Sequence, residues 1–175
     1  MKRDYIDFQD RSLPLAYLIT FRTFGTWLHG DDRGSMDRRE YNRYGKMKLA
    51  PSVLAERRDR NLMKSPAFEL GTMARAVVEQ TVREVFQARG CPLFALNVRT
   101  NHIHVVPAAA GTPESLMTSF KSYSTRRLRE LARVSPTQKI WSRHGSTRYL
   151  WTEKHFETAV DYVVNGQGAE LPIFD

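Results

Sequence analysis

His102 and His104 stand two residues apart in the apolar run from Asn101 to Val106. On a β-strand, side chains at i and i+2 leave the same face, so both imidazoles point one way while Ile103 turns into the core. Two parallel imidazoles can hold a divalent cation if a third group arrives from elsewhere in the fold. A pair of strand histidines satisfied by hydrogen bonds is the plainer alternative. The elements around the pair decide between them.

Leu15 to Phe21, after Pro14, is a strongly β-type run and reads as the first strand. Arg33 to Ser65 is polar, carries Gly34, Gly45 and Pro51, and lacks sustained periodicity. It reads as a loop or insertion spanning about 33–66, with a short helix near Val53 to Leu62. Thr72 to Gln87 has apolar residues at three- and four-residue steps and is a helix, stopped by Gly90. Pro92 to Val98 and His102 to Ala108 are strands joined by Arg99-Thr100-Asn101, a tight hairpin. Pro113 opens a helix to about Val134, with Leu116, Met117, Phe120, Leu128 and Leu131 as its apolar stripe and Tyr123 at the edge of that stripe. Ser122, Arg126, Arg129 and Arg133 take the opposite face. A last strand, Thr147 to Trp151, precedes a helix from about His155 to Asn165 that ends at the glycines Gly166 and Gly168.

This order predicts an α+β chain, a ferredoxin-like βαββαβ sandwich with a central antiparallel sheet plus a C-terminal helix, as one domain over 1–175. In that topology the first and third strands are central, so the two histidines fall in mid-sheet.

The charge adds a partner. Lys and Arg number 27 against 19 Asp and Glu, a formal net charge of +8. From Arg33 to Lys64 there are ten basic and four acidic residues, and from Lys121 to Lys154 nine basic and two acidic. Two dense basic blocks suit a groove that tracks phosphates. The single cysteine, Cys91, excludes a disulfide framework and a thiolate zinc site, and reads as a small buried residue. No apolar run approaches a membrane span, which predicts a cytoplasmic chain with no membrane partner.

The His-Ile-His strand, the segment Lys121 to Leu128 (Lys-Ser-Tyr-Ser-Thr-Arg-Arg-Leu) and the helix Phe156 to Gln167 carrying Tyr162 together resemble the single-tyrosine HUH transposases of insertion sequences and the REP-associated tyrosine transposases. With the opening strand, the resemblance covers most of the chain outside the insertion. It implies a metal-dependent enzyme that cuts and rejoins single-stranded or hairpin DNA. His102 and His104 would hold Mg²⁺ or Mn²⁺, and Tyr162 would attack the phosphodiester to give a 5′-phosphotyrosine and a free 3′-hydroxyl. A phenol with a pKa of about 10 needs nearby positive charge to ionise.

Family members often place a polar ligand four positions after the tyrosine. Here that position is Gly166, which leaves Gln167 as the expected third ligand, with Asn165 its competitor and water a third option. The family includes homodimers that exchange the tyrosine helix and chains that act alone, and both assemblies stay open.

Trp27, in the segment Thr26 to Gly34, suits stacking on a base, or burial beneath its loop. Arg33, Lys121, Arg126, Arg129 and Arg133 are the expected phosphate contacts, with a solvated charged face as the alternative. Tyr123 reads as a packing residue. His155, two turns before Tyr162, suits a helix cap or a phosphate contact, and His29 and His144 suit loops. The rival reading is a ferredoxin-like nucleic-acid-binding protein without chemistry, which leaves the histidine pair unexplained. A metal-free two-histidine phosphoesterase needs a second His-bearing strand, and none is found.

Overall fold

A computed structural model describes residues 13–32 and 50–166. Four strands, β1 (Ala16–Thr23), β2 (Leu93–Val98), β3 (His102–Pro107) and β4 (Trp141–Leu150), form one antiparallel sheet in the order β2-β3-β1-β4. Four helices accompany them: α1 (Val53–Asn61), α2 (Thr72–Ala88), α3 (Pro113–Glu130) and α4 (Glu153–Val164). The expected α+β arrangement is therefore present, with β1 and β3 central. None of the described helices is long and apolar enough to cross a membrane.

Alternation along β1 and β3 explains how helices cover both faces of the sheet. Tyr17, Ile19 and Phe21 of β1 and Ile103 and Val105 of β3 face α2 and α3, where Phe21, Phe86 and Phe120 pack together. Ala16 and Leu18 of β1 and Val106 of β3 face the other way and meet Ala159 and Val163 of α4. Burial on both sides is why β1 reads as a continuous apolar run rather than an alternating one. Each helix except α2 starts with a hydroxyl cap. Ser52, Thr112 and Thr152 accept from the backbone N–H groups of Ala55, Ser115 and His155.

The structure corrects two boundaries and the packing of two residues. β4 begins at Trp141, well before the expected Thr147, because its first half (Trp-Ser-Arg-His-Gly-Ser) is a polar edge segment without an apolar pattern. Pairing to β1 also jumps there, from Phe21 opposite Gly145 to Thr23 opposite Trp141, so β4 bulges. α3 ends at Glu130 rather than near Val134. Ala132 has a φ of 52°, outside the helical region, and Leu131, assigned to the apolar stripe, is 47% exposed. Tyr123 does not pack in the core either. It is 44% exposed, with the Arg126 guanidinium 4.9 Å from its ring centre.

Candidate active site

The face of the sheet beneath α4 carries a row of polar side chains. In the β1–β3 register Thr20 is opposite His104 and Arg22 is opposite His102, and in the β2–β3 register Asn97 is opposite His104. Directly opposed residues share a face, so Asn97, His104, Thr20, His102 and Arg22 form one patch. The two imidazole centroids are 4.8 Å apart.

Each histidine is held through Nδ1. His102 Nδ1 lies 2.6 Å from Asn101 Oδ1, and His104 Nδ1 lies 2.8 Å from Thr20 Oγ1. An Nδ1–H donated to these oxygens leaves the Nε2 lone pair of each ring for another partner. His104 is 4% exposed, and its pKa is pushed down to about 3, first by burial and then by the charges of His102, Arg22 and Arg99. It therefore stays neutral at physiological pH. A neutral His104 imidazole with a second imidazole on the same face suits a divalent cation of the borderline class, so this donor pair fits a metal. Among the described residues no cluster of three His, Cys, Asp or Glu side chains completes the set. Gln167, the expected third ligand, lies outside the described residues, and Asn165 turns its side-chain amide to Asp161 Oδ1 at 2.8 Å.

α4 brings the phenol to this patch. Its apolar side, Phe156, Ala159, Val160 and Val163, packs on Leu18, Ala95, Val106 and Leu150. Asn97 Nδ2 donates to the Val163 carbonyl at 3.0 Å and satisfies one of the acceptors left open at the helix end. Tyr162 then lies edge-on to His104, with ring centroids 5.2 Å apart at 80°. Burial raises the Tyr162 pKa, and the Arg22 charge acts against that rise. The arrangement thus joins a phenol, two imidazoles and a guanidinium, the parts needed to attack a phosphodiester and to offset the charge that develops on it.

Comparison with known proteins decides the family. A family model for IS200-like transposases matches residues 66–165, the stretch that carries His102, His104 and Tyr162. The chain belongs to the IS200-like transposase family. No curated protein matches it. Among solved structures, it is similar to a REP-associated tyrosine transposase bound to a REP hairpin, with 13% identity and a TM-score of 0.50 over 86% of this chain. The chain spans 65% of the length of that protein. A candidate transposase from Deinococcus radiodurans R1 aligns with 97% of this chain and 100% of its own, at 13% identity and a TM-score of 0.49.

Within this family member, the other residues singled out in the sequence are dispersed. Arg126 and Arg129 line an open groove with Thr125 and Trp141 on the α3 side of the sheet, across from the histidines. Lys121 sits beside them, but its Nζ donates to the Ser142 and His144 carbonyls at 2.9 and 3.0 Å and so ties down the bulged part of β4. Arg133 follows α3 and is exposed. Trp27 lies against Arg22, whose guanidinium carbon is 3.2 Å from its ring centre. Arg33 lies outside the described residues. His144 is exposed on β4, and His29 Nδ1 pairs with Asp59 Oδ2 at 2.6 Å. Cys91 is buried.

Thr20, Arg22 and Asn97 were missed in the sequence. A signal for them existed. Once β1 and β2 flank β3, alternation puts every second residue of these strands on the histidine face, and Arg22 is the cationic member of the β1 set.

Proposed function

We propose that this transposase is a metal-dependent enzyme that cuts and rejoins single-stranded DNA through a 5′-phosphotyrosine, with Tyr162 as nucleophile. The observation that carries this reading is the edge-on contact of Tyr162 with His104, itself 4.8 Å from His102, on one face of one chain. His102 and His104 would hold Mg²⁺ or Mn²⁺, with Gln167 as the proposed third ligand. Such a cation supplies Lewis-acid withdrawal of charge from the phosphate oxygens.

The chain's own residues do the rest. Thr20 and Asn101 fix the two imidazoles. Asn97 and the apolar side of α4 hold the Tyr162 ring, and the Arg22 charge favours its phenolate. Tyr162 Oη bonds to phosphorus as the bond from phosphorus to O3′ breaks. The phenolic proton leaves to solvent, and O3′ takes up a proton as a free hydroxyl. The phosphotyrosine keeps the energy of the cleaved bond, so a 3′-hydroxyl reverses the step and joins DNA without a nucleotide cofactor.

The substrate class is single-stranded or hairpin DNA. Support comes from the net charge of +8 and from the REP hairpin bound to a protein of similar fold. Arg126, Arg129 and Arg133 are proposed phosphate contacts away from the scissile bond, with Lys121 as a further one, and Arg33 is also proposed as a phosphate contact. Because Tyr162 meets His104 of its own chain, cutting in this arrangement would need no exchanged helix, and a homodimer would act as two such sites.

The test is covalent capture. End-labelled hairpin DNA, including the flanks of the protein's own gene, is incubated with wild type and Tyr162→Phe, in Mg²⁺ or EDTA, and run on a denaturing protein gel. A Mg²⁺-dependent labelled band lost in Tyr162→Phe supports the reading. Tight binding of the gene flanks without any band would favour a protein that binds DNA and does no chemistry.

A further inference from the structure

We propose that Arg22, held against Trp27, grips the non-bridging oxygens of the scissile phosphate while Tyr162 attacks it. The inference rests on the reading of Tyr162 as the nucleophile, and it adds a residue outside the matched stretch 66–165.

Position carries the argument. Arg22 is the cross-strand partner of His102 and shares its face of the sheet. Its neighbour Thr20 holds His104, so the guanidinium flanks the histidine pair on the side away from β2. β1 ends one residue later. On its other side β4 bulges: the register passes from Phe21 opposite Gly145 to Thr23 opposite Trp141, and Arg22 lies between them on β1. Bulges of this kind re-aim side chains beside active sites. The bulge is a built feature, pinned by Lys121 on the Ser142 and His144 carbonyls and by Ser142 Oγ on the Thr23 carbonyl. The Arg22 charge reaches both His104 and Tyr162.

Trp27 completes the device. A guanidinium held over an indole is attracted by the ring face and gives up rotamer freedom before substrate arrives. A guanidinium presents its N–H donors as a planar fork. This geometry matches two phosphate oxygens and is pre-organised for the charge that grows on them in the transition state. Trp27 is then a positioning residue that acts through Arg22. No bond to Arg22 forms or breaks: it stabilises the same displacement in which Tyr162 Oη replaces O3′ at phosphorus.

The experiment measures single-turnover adduct formation in Mg²⁺ with the end-labelled gene-flank DNA, together with the salt dependence of binding to the same DNA in a Tyr162→Phe background. Arg22→Gln is expected to slow adduct formation about 100-fold at saturating DNA, the scale for losing one transition-state donor. It should also reduce the slope of log affinity against log salt by about one. Arg22→Lys keeps the charge but loses the fork and is expected to fall about tenfold, so it carries the test if Arg22→Gln does not fold. Trp27→Leu should slow the wild type and have little further effect on Arg22→Gln, a coupling that general loosening of the loop does not produce.

A wild-type rate and salt slope in both Arg22 variants overturns the proposal, as does an additive effect of Trp27→Leu for the part assigned to Trp27. A wild-type protein without any adduct removes the tyrosine reading instead, and the phosphate contact then stands or falls on the salt slope alone.

Discussion

Asn97 on β2 donates its side-chain amide to the carbonyl of Val163, the residue after Tyr162, at 3.0 Å. One hydrogen bond therefore links the strand beside the histidines to the turn of α4 that carries the phenol. Asn97→Ala leaves that carbonyl short of a partner and is expected to cost about 1 kcal/mol of stability. Hydrogen exchange should show the last turn of α4 losing protection before the central strands, and the adduct should form more slowly.

Thr20 governs His104. Thr20→Val keeps the shape of the side chain and removes the oxygen 2.8 Å from Nδ1. Partners of this kind set the tautomer and the basicity of a ligating imidazole. Titration with Mn²⁺ is expected to show affinity lower by about 10- to 100-fold. Unchanged affinity would separate Thr20 from metal binding.

His104 makes stability pH-dependent. Its pKa is about 3 in the folded chain against an ordinary 6.5. Between those values the unfolded chain takes up a proton that the folded one refuses. The contribution is therefore fully present above pH 6.5 and is lost as pH falls, at up to about 1.4 kcal/mol per unit. Urea unfolding in EDTA, where no metal competes, should show wild type losing about 1 kcal/mol more than His104→Gln between about pH 7 and 5.5, above most carboxylate titration. The same loss in both proteins would place the cause elsewhere.

Tyr162 sets a second pH dependence, from a pKa shifted in the opposite direction. Burial raises its pKa, so the phenolate is scarce at neutral pH. The adduct-forming rate at saturating DNA is expected to climb with pH through neutrality toward the ordinary phenol range near about 10. A flat profile would mean that proton loss from the phenol does not limit the reaction.

Gly166 packs against Tyr162. A Cβ there would stand 3.0 Å from the Cα, the Cδ2 and the carbonyl oxygen of Tyr162. Its φ is not among the positive ones, so Gly166→Ala tests that contact without backbone strain. We expect the variant to bind DNA normally and to form adduct about tenfold more slowly, because a few tenths of an ångström at a nucleophile matter. Single-turnover rates beside equilibrium binding separate the two effects.

The chain's periodicity and spacing determined the element order, the central place of β1 and β3, the shared face of His102 and His104, and the helix that bears Tyr162. These are local properties: alternation on strands, three- and four-residue steps on helices, and turn residues between them. Pattern failed where a segment has little apolar content or is held by contacts distant in sequence. The polar half of β4 became a strand only through pairing with β1, and α3 stopped at Glu130, before the left-handed Ala132, although its sequence ran on.

Tertiary structure decided what surrounds the histidines. Strand register put Thr20 and Arg22 beside them, and docking of α4 set Tyr162 on His104. It also placed the Arg126 and Arg129 groove across the sheet from them and turned Lys121 to the β4 carbonyls. Which cations share a face with a catalytic pair depends on how strands are ordered and which side a helix covers, and those choices are made by packing the whole core.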